Sequence, residues 1–450
     1  MTISPKDNVE VREDGHKYAR TFLRAGTDVI KYGMPIGHAT RDIAPGEHVH
    51  THNLATNLGE VLDYSYDPDF ADLPRAAAPT IRAFRRADGR IGIRNDIWIV
   101  PTVGCVNALC ERLAAACGGV ALTHPYGCSQ LGRDHETTAN LLAALCRHPN
   151  AGGVLVVALG CENNTLESFR ARLGDVSQLN VRFLKAQDPG DEFARGLELL
   201  KELEAGRPRE RVDVPASELV VGLKCGGSDG FSGLTANPLV GRFSDWLIAR
   251  GGSAVLTEVP EMFGAETLLM ARCRTRSVFD KCVAMVNDFK DYYASHHQVC
   301  YENPSPGNKA GGLTTLEDKS LGCVQKGGSA PVEDVLGYGD RVKARGLLLM
   351  TGPGNDLVAS TVLAAAGCHL ILFTTGRGTP FGTVVPTVKV ASNSTLAAAK
   401  PNWIDWDAMA DGDVDAFARK VLSVASGDEL ARNETNGARG IAIFKDGVTL

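Results

Sequence analysis

NDIWIVPTVGCVNALCERLAAACGGVALTHPYGC (residues 95–128) changes its hydrophobic period twice. NDIWIV is a continuous apolar run of the kind shown by a strand buried on both faces. PTVGCVN breaks that run, NALCERLAAAC then spaces its apolar residues at helical intervals, and Gly118 is placed to stop the helix. GGVALTH (118–124) returns to a strand. The pattern recurs with a helix opened by Asp134 and closed before Pro149, then a third strand in GGVLVVALG (152–160). Parallel βαβ units are the expectation.

Working outward, AGRPRERVDVPASE (205–218) reads as linker-like, and the same grammar resumes after it. ELVVGLK, GSAVLTE, GLLLMTG and CHLILFTTG are strands, each followed by a polar or glycine-rich loop. Towards the N-terminus, residues 66–80 carry three prolines and no apolar period, which reads as a linker. The first 65 residues show short β-rich pieces punctuated by Gly33, Pro35, Gly37 and Ala44-Pro45-Gly46. The expected organisation is α/β: a small N-terminal β domain (1–65), a linker (66–80), and two parallel-sheet α/β domains (81–210 and 211–450).

Composition excludes several classes. The chain has 450 residues, 44% hydrophobic and 22% charged, with both signs scattered to a net charge of −6. Nothing there attracts nucleic acid or an anionic membrane. No apolar run has the length of a membrane span, and the polar first residues lack a secretory signal, so a cytoplasmic location is expected. Twelve cysteines are spread without any CxxC pair, which argues against a zinc ribbon or a ferredoxin-type loop.

Chemistry-bearing residues cluster just past strand ends, where ligands bind in open parallel sheets. Cys105 follows the first strand, and His124, Tyr126 and Cys128 follow the second. Cys161 and Glu162 follow the third; Cys225, Ser228 and Asp229 come after ELVVGLK, Glu258 after GSAVLT, and Arg377 after CHLILFTTG. No GxGxxG opens a helix and no GxxxxGK[ST] occurs, so a nucleotide site is poorly supported. CGGSDGFSG and TTGRGTPFG suit an anion such as a carboxylate, with Arg377 as a forked donor. ENPSPGNKAGG (302–312) stiffens a polar loop around Asn303 and Lys309. GEHVHTHN (46–53) alternates three histidines, which in an extended strand would share one face. These residues describe a divalent-metal or anionic-ligand site in an α/β enzyme.

The loops ADGRIGIRND, HPYGCSQLG, LGCENN, CGGSDGFSGLTANPLVG, TEVPEMFGAE, ENPSPGNKAGGLTTLEDKSLG and FTTGRGTPFG together resemble the altronate dehydratase family, which also includes galactarate dehydratase. IKYGMPIGHATRDIAPGEHVHTHN resembles that family's SAF-type β domain, and the tail ARGIAIFKDGVTL fits as well. The resemblance spans essentially the whole chain. It implies a hydro-lyase using Fe2+, or Mn2+ or another divalent metal, that removes water from a sugar acid. D-altronate would give 2-dehydro-3-deoxy-D-gluconate.

The roles expected on that basis are as follows. His50, His52, Cys128, Cys161, Glu162 and Cys225 are metal candidates, with His48 a bystander. His124, Lys309 and Glu258 are catalytic candidates, His124 and Lys309 as bases. Arg377 and Asn237 are carboxylate contacts, and Ser228, Asp229, Asn303 and Thr375 complete the substrate site. Expected partners are a small sugar acid and other copies of the chain, with no nucleic acid and no membrane. Four alternatives stand beside this reading: dehydration of another aldonate or aldarate such as galactarate, sulfolactate sulfo-lyase chemistry, an iron–sulfur dehydratase using Cys105, Cys128, Cys161, Cys225 and Cys323, and a non-enzymatic sugar-acid-binding regulator. The segment WIDWDAMADGDVDAF (403–417) looks short and altered beside altronate dehydratases, which bears on substrate identity.

Overall fold

The computed structural model describes residues 1–2, 4–59 and 63–450. The chain begins with two three-stranded antiparallel sheets built from strands of two to six residues. Val29, Ile36, Ile43 and Val49 are completely buried there, and they join a core that continues into the C-terminal α/β region. Residues 63–79 carry no strand or helix. They are packed down nonetheless, with Tyr64 donating to Glu266 (2.6 Å) and Tyr66 to the Cys273 carbonyl (3.1 Å).

NDIWIV forms the strand Asp96–Pro101, and its buried faces explain its unbroken apolar character. It lies inside a four-stranded parallel sheet, between Val120–Ala121 and Ala151–Ala158, with Val181–Lys185 at the edge. The helix Asn107–Cys117 ends on Gly118 at φ 66°, the left-handed C-cap that glycine reaches without strain. The next helix is Gly132–Cys146, and it packs on helix Asp356–Ala365 of the second region, fusing the two α/β cores.

The linker-like stretch 205–218 holds an element the sequence pattern hid. Val212–Pro215 pairs antiparallel with Thr80–Arg85 in a small third sheet, so chain entry to and exit from the first α/β unit are tied together. Two charged residues and a closing proline in RVDVP mask so short a strand.

The second α/β unit has a seven-stranded parallel sheet. Its strand order is Val332–Leu336, Gly346–Met350, Ser253–Leu256, Val220–Cys225, Leu370–Thr375, Thr387–Ala391, Trp406–Asp407. After Val220–Cys225 the chain builds one side of the sheet and then returns to add Leu370–Thr375 on the other. The order reverses between those two strands, and a crevice opens outside their carboxyl ends. The architecture is thus the expected α/β one, a small β part followed by a large parallel-sheet region. Among the described residues no helix is long and apolar enough to cross a membrane.

Candidate active site

Cys225 is the last residue of its strand, at the reversal point, and is 2% exposed. Glu261 arrives from the one-turn helix Val259–Glu261 after the neighbouring strand, and Cys323 closes helix Leu316–Cys323. The three meet. The Cys225 thiol donates to Glu261 Oε2 at 3.2 Å, the Cys323 thiol donates to the same oxygen at 3.1 Å, and the two sulfurs are 3.2 Å apart. One ligand atom from each lies within 4.8 Å of the others, all buried.

Three lysines surround this set. Lys319 Nζ is 2.6 Å from Glu261 Oε1. Lys224 pairs with Glu258 and, at 3.0 Å, with Asp356, while Lys326 reaches Glu258 at 3.4 Å. Glu258 is 1% exposed and sits at φ 74°, a conformation costing roughly 1–2 kcal/mol for a residue with a Cβ. Its carboxylate also accepts the Cys225 backbone N–H at 2.9 Å, which holds the strand end in place.

Burial opposes the charge of Glu261, but Lys319, Lys224 and Lys326 hold its carboxyl at about 2. Burial likewise disfavours the Lys224 and Lys319 ammoniums, and the facing carboxylates outweigh it and raise both. Its hydrogen-bond contact with the Cys225 sulfur and then burial push the Cys323 thiol well up. Three ammoniums therefore face three carboxylates, Glu258, Glu261 and Asp356. The donor set passes the test for a divalent cation: an ion that displaces two thiol protons leaves the net charge of this pocket unchanged. Two thiolates and a carboxylate suit a transition metal, and three ligands leave a coordination position open.

Cys225 and Glu261 of this set line a cleft of about 560 Å³. Asn303 and Asn308 line one wall, Tyr292, Tyr293 and Phe444 another. Asn303 Oδ1 accepts from Lys319 at 3.1 Å, and Asn308 donates to the Ser228 carbonyl at 2.8 Å. The Ser228 hydroxyl is buried without a hydrogen-bond partner among the described residues.

The other residues singled out in the sequence divide among several places. Arg377 is exposed beside Gly227, to whose carbonyl its backbone N–H donates (2.8 Å). Among the described residues its guanidinium forms no ion pair. Asp229 accepts from Ser232 and Ser392 at 2.8 Å and Asn393 at 2.9 Å, so it locks two loops together. Asn237 donates to the Gly322 carbonyl and accepts from Thr374, and Thr375 Oγ1 accepts the Gly378 N–H.

The N-terminal histidines form their own group. Only His48–Val49 is strand; His50–Asn53 turns, with Asn53 Oδ1 accepting the His50 N–H at 2.9 Å. The turn replaces the extended run because the asparagine side chain offers the backbone a closer acceptor. The rings still gather: His48 lies 5.4 Å from His50 and 5.7 Å from His52, and His16 joins at 5.0 Å from His48. His50 Nε2 donates to the Lys309 carbonyl at 3.0 Å, next to Asn308 of the cleft. Burial lowers the pKa of both His48 and His50.

His124, Cys128, Cys161 and Glu162 stand at the carboxyl end of the first sheet. His124 is buried with both nitrogens engaged, Nδ1 accepting the Tyr126 N–H and Nε2 donating to the Pro101 carbonyl. Glu162 accepts from Thr102 and from the Leu159 and Gly160 N–H groups. The expected metal ligands therefore fall into three groups, of which Cys225 belongs to the set gathered within 4.8 Å. Glu261, Lys319 and Lys326 were missed. Lys319 and Cys323 share a helix face at i and i+4, and Lys224 interrupts an apolar strand, which are the signals that mark this cluster.

Comparison with known proteins gives a consistent picture. Residues 2–57 match a family model described as an altronate/galactarate dehydratase SAF domain. Residues 83–206 match the second domain of D-galactarate dehydratase/altronate hydrolase, and residues 216–449 the C-terminal part of D-galactarate/altronate dehydratase. Altronate dehydratase of Bacillus subtilis is 55% identical, covering 98% of this chain and 94% of the relative. Altronate dehydratase of Escherichia coli is 54% identical with the same coverage. The L-threo-forming galactarate dehydratase of Escherichia coli is 33% identical over 89% of this chain and 82% of its own length.

Proposed function

Since the chain belongs to the D-galactarate/altronate dehydratase family, we propose that it is a hydro-lyase acting on D-altronate and releasing 2-dehydro-3-deoxy-D-gluconate and water. The observation that carries this reading is the buried Cys225–Glu261–Cys323 set, of which Cys225 and Glu261 line a polar cleft at the strand-order reversal.

The C2 proton of an aldonate is weakly acidic, and its removal builds negative charge next to the carboxylate. A divalent ion on Cys225, Glu261 and Cys323, iron(II) by preference and manganese(II) as the alternative, supplies Lewis-acid stabilisation when bound. Lys319 adds fixed positive charge at the same wall, where low dielectric strengthens it. Of the two bases expected from the sequence, Lys309 is retained, because both His124 nitrogens are engaged. Of the two carboxylate contacts, Arg377 is retained, because the Asn237 amide is engaged at both ends. Asn303 and the unpartnered Ser228 hydroxyl are the proposed contacts for sugar hydroxyls. His50 positions the Lys309 backbone.

The test is a panel of aldonates, galactarate and sulfolactate, assayed anaerobically with and without iron(II) for 2-keto acid and for sulfite. Altronate is expected to be the best substrate. Preferential turnover of galactarate, or sulfite release from sulfolactate, overturns the assignment, and tight altronate binding without turnover in the presence of iron(II) favours a regulator.

A further inference from the structure

The cysteines singled out in the sequence separate into two groups. Cys225 and Cys323 are buried in the site above, whereas Cys105, Cys128 and Cys161 are exposed free thiols. Each of these three follows one of three adjacent strands of the first parallel sheet, in the order Val120–Ala121, Asp96–Pro101, Ala151–Ala158. Exposure is unusual for this residue type, which is among the most often buried.

The three loops are bound to each other. The Gly104 N–H donates to the Tyr126 carbonyl at 2.8 Å, and the Asn164 N–H to the Gly127 carbonyl at 3.0 Å. A Cβ on Gly127 would stand 2.0 Å from the Thr102 carbonyl oxygen, so these two loops cross at backbone contact. The Ser129 N–H and the Cys128 thiol both donate to Asn163 Oδ1, at 3.0 and 3.4 Å. Glu162 clamps the third loop to Thr102. The thiols are thereby carried on a fixed frame at one end of one sheet. Gln187 Nε2 donates to Cys161 Sγ at 3.5 Å, and Ser129 Oγ lies 3.9 Å from Cys128 Sγ, contacts of the kind that tune sulfur ligands.

A single thiolate-bound ion holds its sulfurs roughly 4 Å apart, at bonds of about 2.3 Å. Among the described residues, the set of three metal-binding side chains gathered within 4.8 Å is Cys225, Glu261 and Cys323, so the exposed trio is spaced too widely for one ion. A cluster of several irons spreads its thiolate ligands farther apart than a single ion does.

We propose that Cys105, Cys128 and Cys161 hold an iron–sulfur cluster at the carboxyl end of the first sheet, a centre separate from the ion at Cys225, Glu261 and Cys323. With three protein thiolates, a four-iron cluster keeps one iron open to an oxygen ligand from solvent. The C-terminal segment connects the two sites. Phe444 lines the cleft, Asp446 and Gly447 donate to Asp134, and the Leu450 N–H donates to the Ser129 carbonyl beside Cys128.

The full chain, reconstituted anaerobically with ferrous iron and sulfide, is assayed for labile sulfide, visible absorption and the electron paramagnetic resonance of the reduced protein. Wild type is expected to hold labile sulfide and to absorb in the visible. Cys105→Ser, Cys128→Ser and Cys161→Ser, with the alanine versions as a second set, each lose most of the sulfide while their unreconstituted thermal melts match wild type. Half-buried Cys117→Ser keeps it. Wild type without labile sulfide overturns the proposal, as does full sulfide retention in the three variants or equal loss in Cys117→Ser. Because the readout is sulfide, failure of this proposal leaves the altronate assignment standing.

Discussion

Lys17 of the N-terminal β structure sets its ammonium 2.7 Å from Asp318 Oδ2, with both side chains fully buried. Lys31 approaches the other oxygen of the same carboxylate at 2.9 Å, and Lys17 also donates to the Gly312 carbonyl. One carboxylate thereby fastens two N-terminal strands to helix Leu316–Cys323, which carries Lys319 and Cys323 into the site. The small domain acts as a brace for the active-site helix.

Asp318→Asn removes the charge and leaves two buried ammoniums uncompensated. The expected loss is about 3–5 kcal/mol, the usual cost of breaking a buried pair from one side. Urea unfolding measures it, and a midpoint unchanged from wild type contradicts the brace.

The same carboxylate sets an acid limit. Burial opposes its charge, yet Lys17 and Lys31 hold the Asp318 carboxyl at about 2, below its ordinary 3.8. A group depressed in the folded state contributes stability above its unfolded pKa and loses that contribution as the pH falls through the folded value. Asp318 accordingly contributes on the order of 2 kcal/mol that disappears between about pH 4 and pH 2. Stability measured across that range falls more steeply in wild type than in Asp318→Asn, and parallel curves refute the assignment.

Lys319 neutralises Glu261 without being a ligand. Lys319→Gln keeps all three donors but frees the Glu261 carboxylate to shift, so metal affinity is expected to fall roughly 10–100-fold, as when an outer partner of a metal ligand is lost. Equilibrium titration with iron(II) or manganese(II) reads this directly, and Cys225→Ser and Glu261→Gln lose more. Equal affinity in Lys319→Gln and wild type removes the lysine from the site.

His50 and His52 are expected to behave differently. His50→Ala deletes the hydrogen bond to the Lys309 carbonyl, worth about 1 kcal/mol, and a several-fold fall in kcat/KM follows. His52 is exposed and touches the group through its ring contact with His48, so His52→Ala stays within about twofold of wild type, as surface substitutions usually do. Equal, severe losses in both variants would instead make the pair a ligand set.

Much of the fold was legible because its strands are buried on both faces and stand out as apolar runs, NDIWIV and ELVVGLK among them. Gly118 and Gly367 sit at positive φ after their helices, as glycine placement indicates. Val212–Pro215 escaped notice because half its residues are charged or proline. In the site, Cys225 and Asn303 were visible as odd residues in loops after strands or between prolines. Glu261, Lys319 and Cys323 were less visible, since they converge from a turn and a helix about sixty residues apart in the chain. Local pattern carries no record of that meeting. The histidine row was visible for its spacing, but His16 joins it from the turn before strand Lys17–Ala19, a contact no spacing shows.

The most direct test of the account is 2-keto acid formation from D-altronate by the anaerobic, iron(II)-loaded protein, compared with Glu261→Gln at matched protein and iron. The account predicts turnover of altronate above every other member of the panel and its near-complete loss in Glu261→Gln, whose melting curve remains cooperative. Undiminished turnover in Glu261→Gln, or no turnover of altronate by iron-loaded wild type, contradicts it.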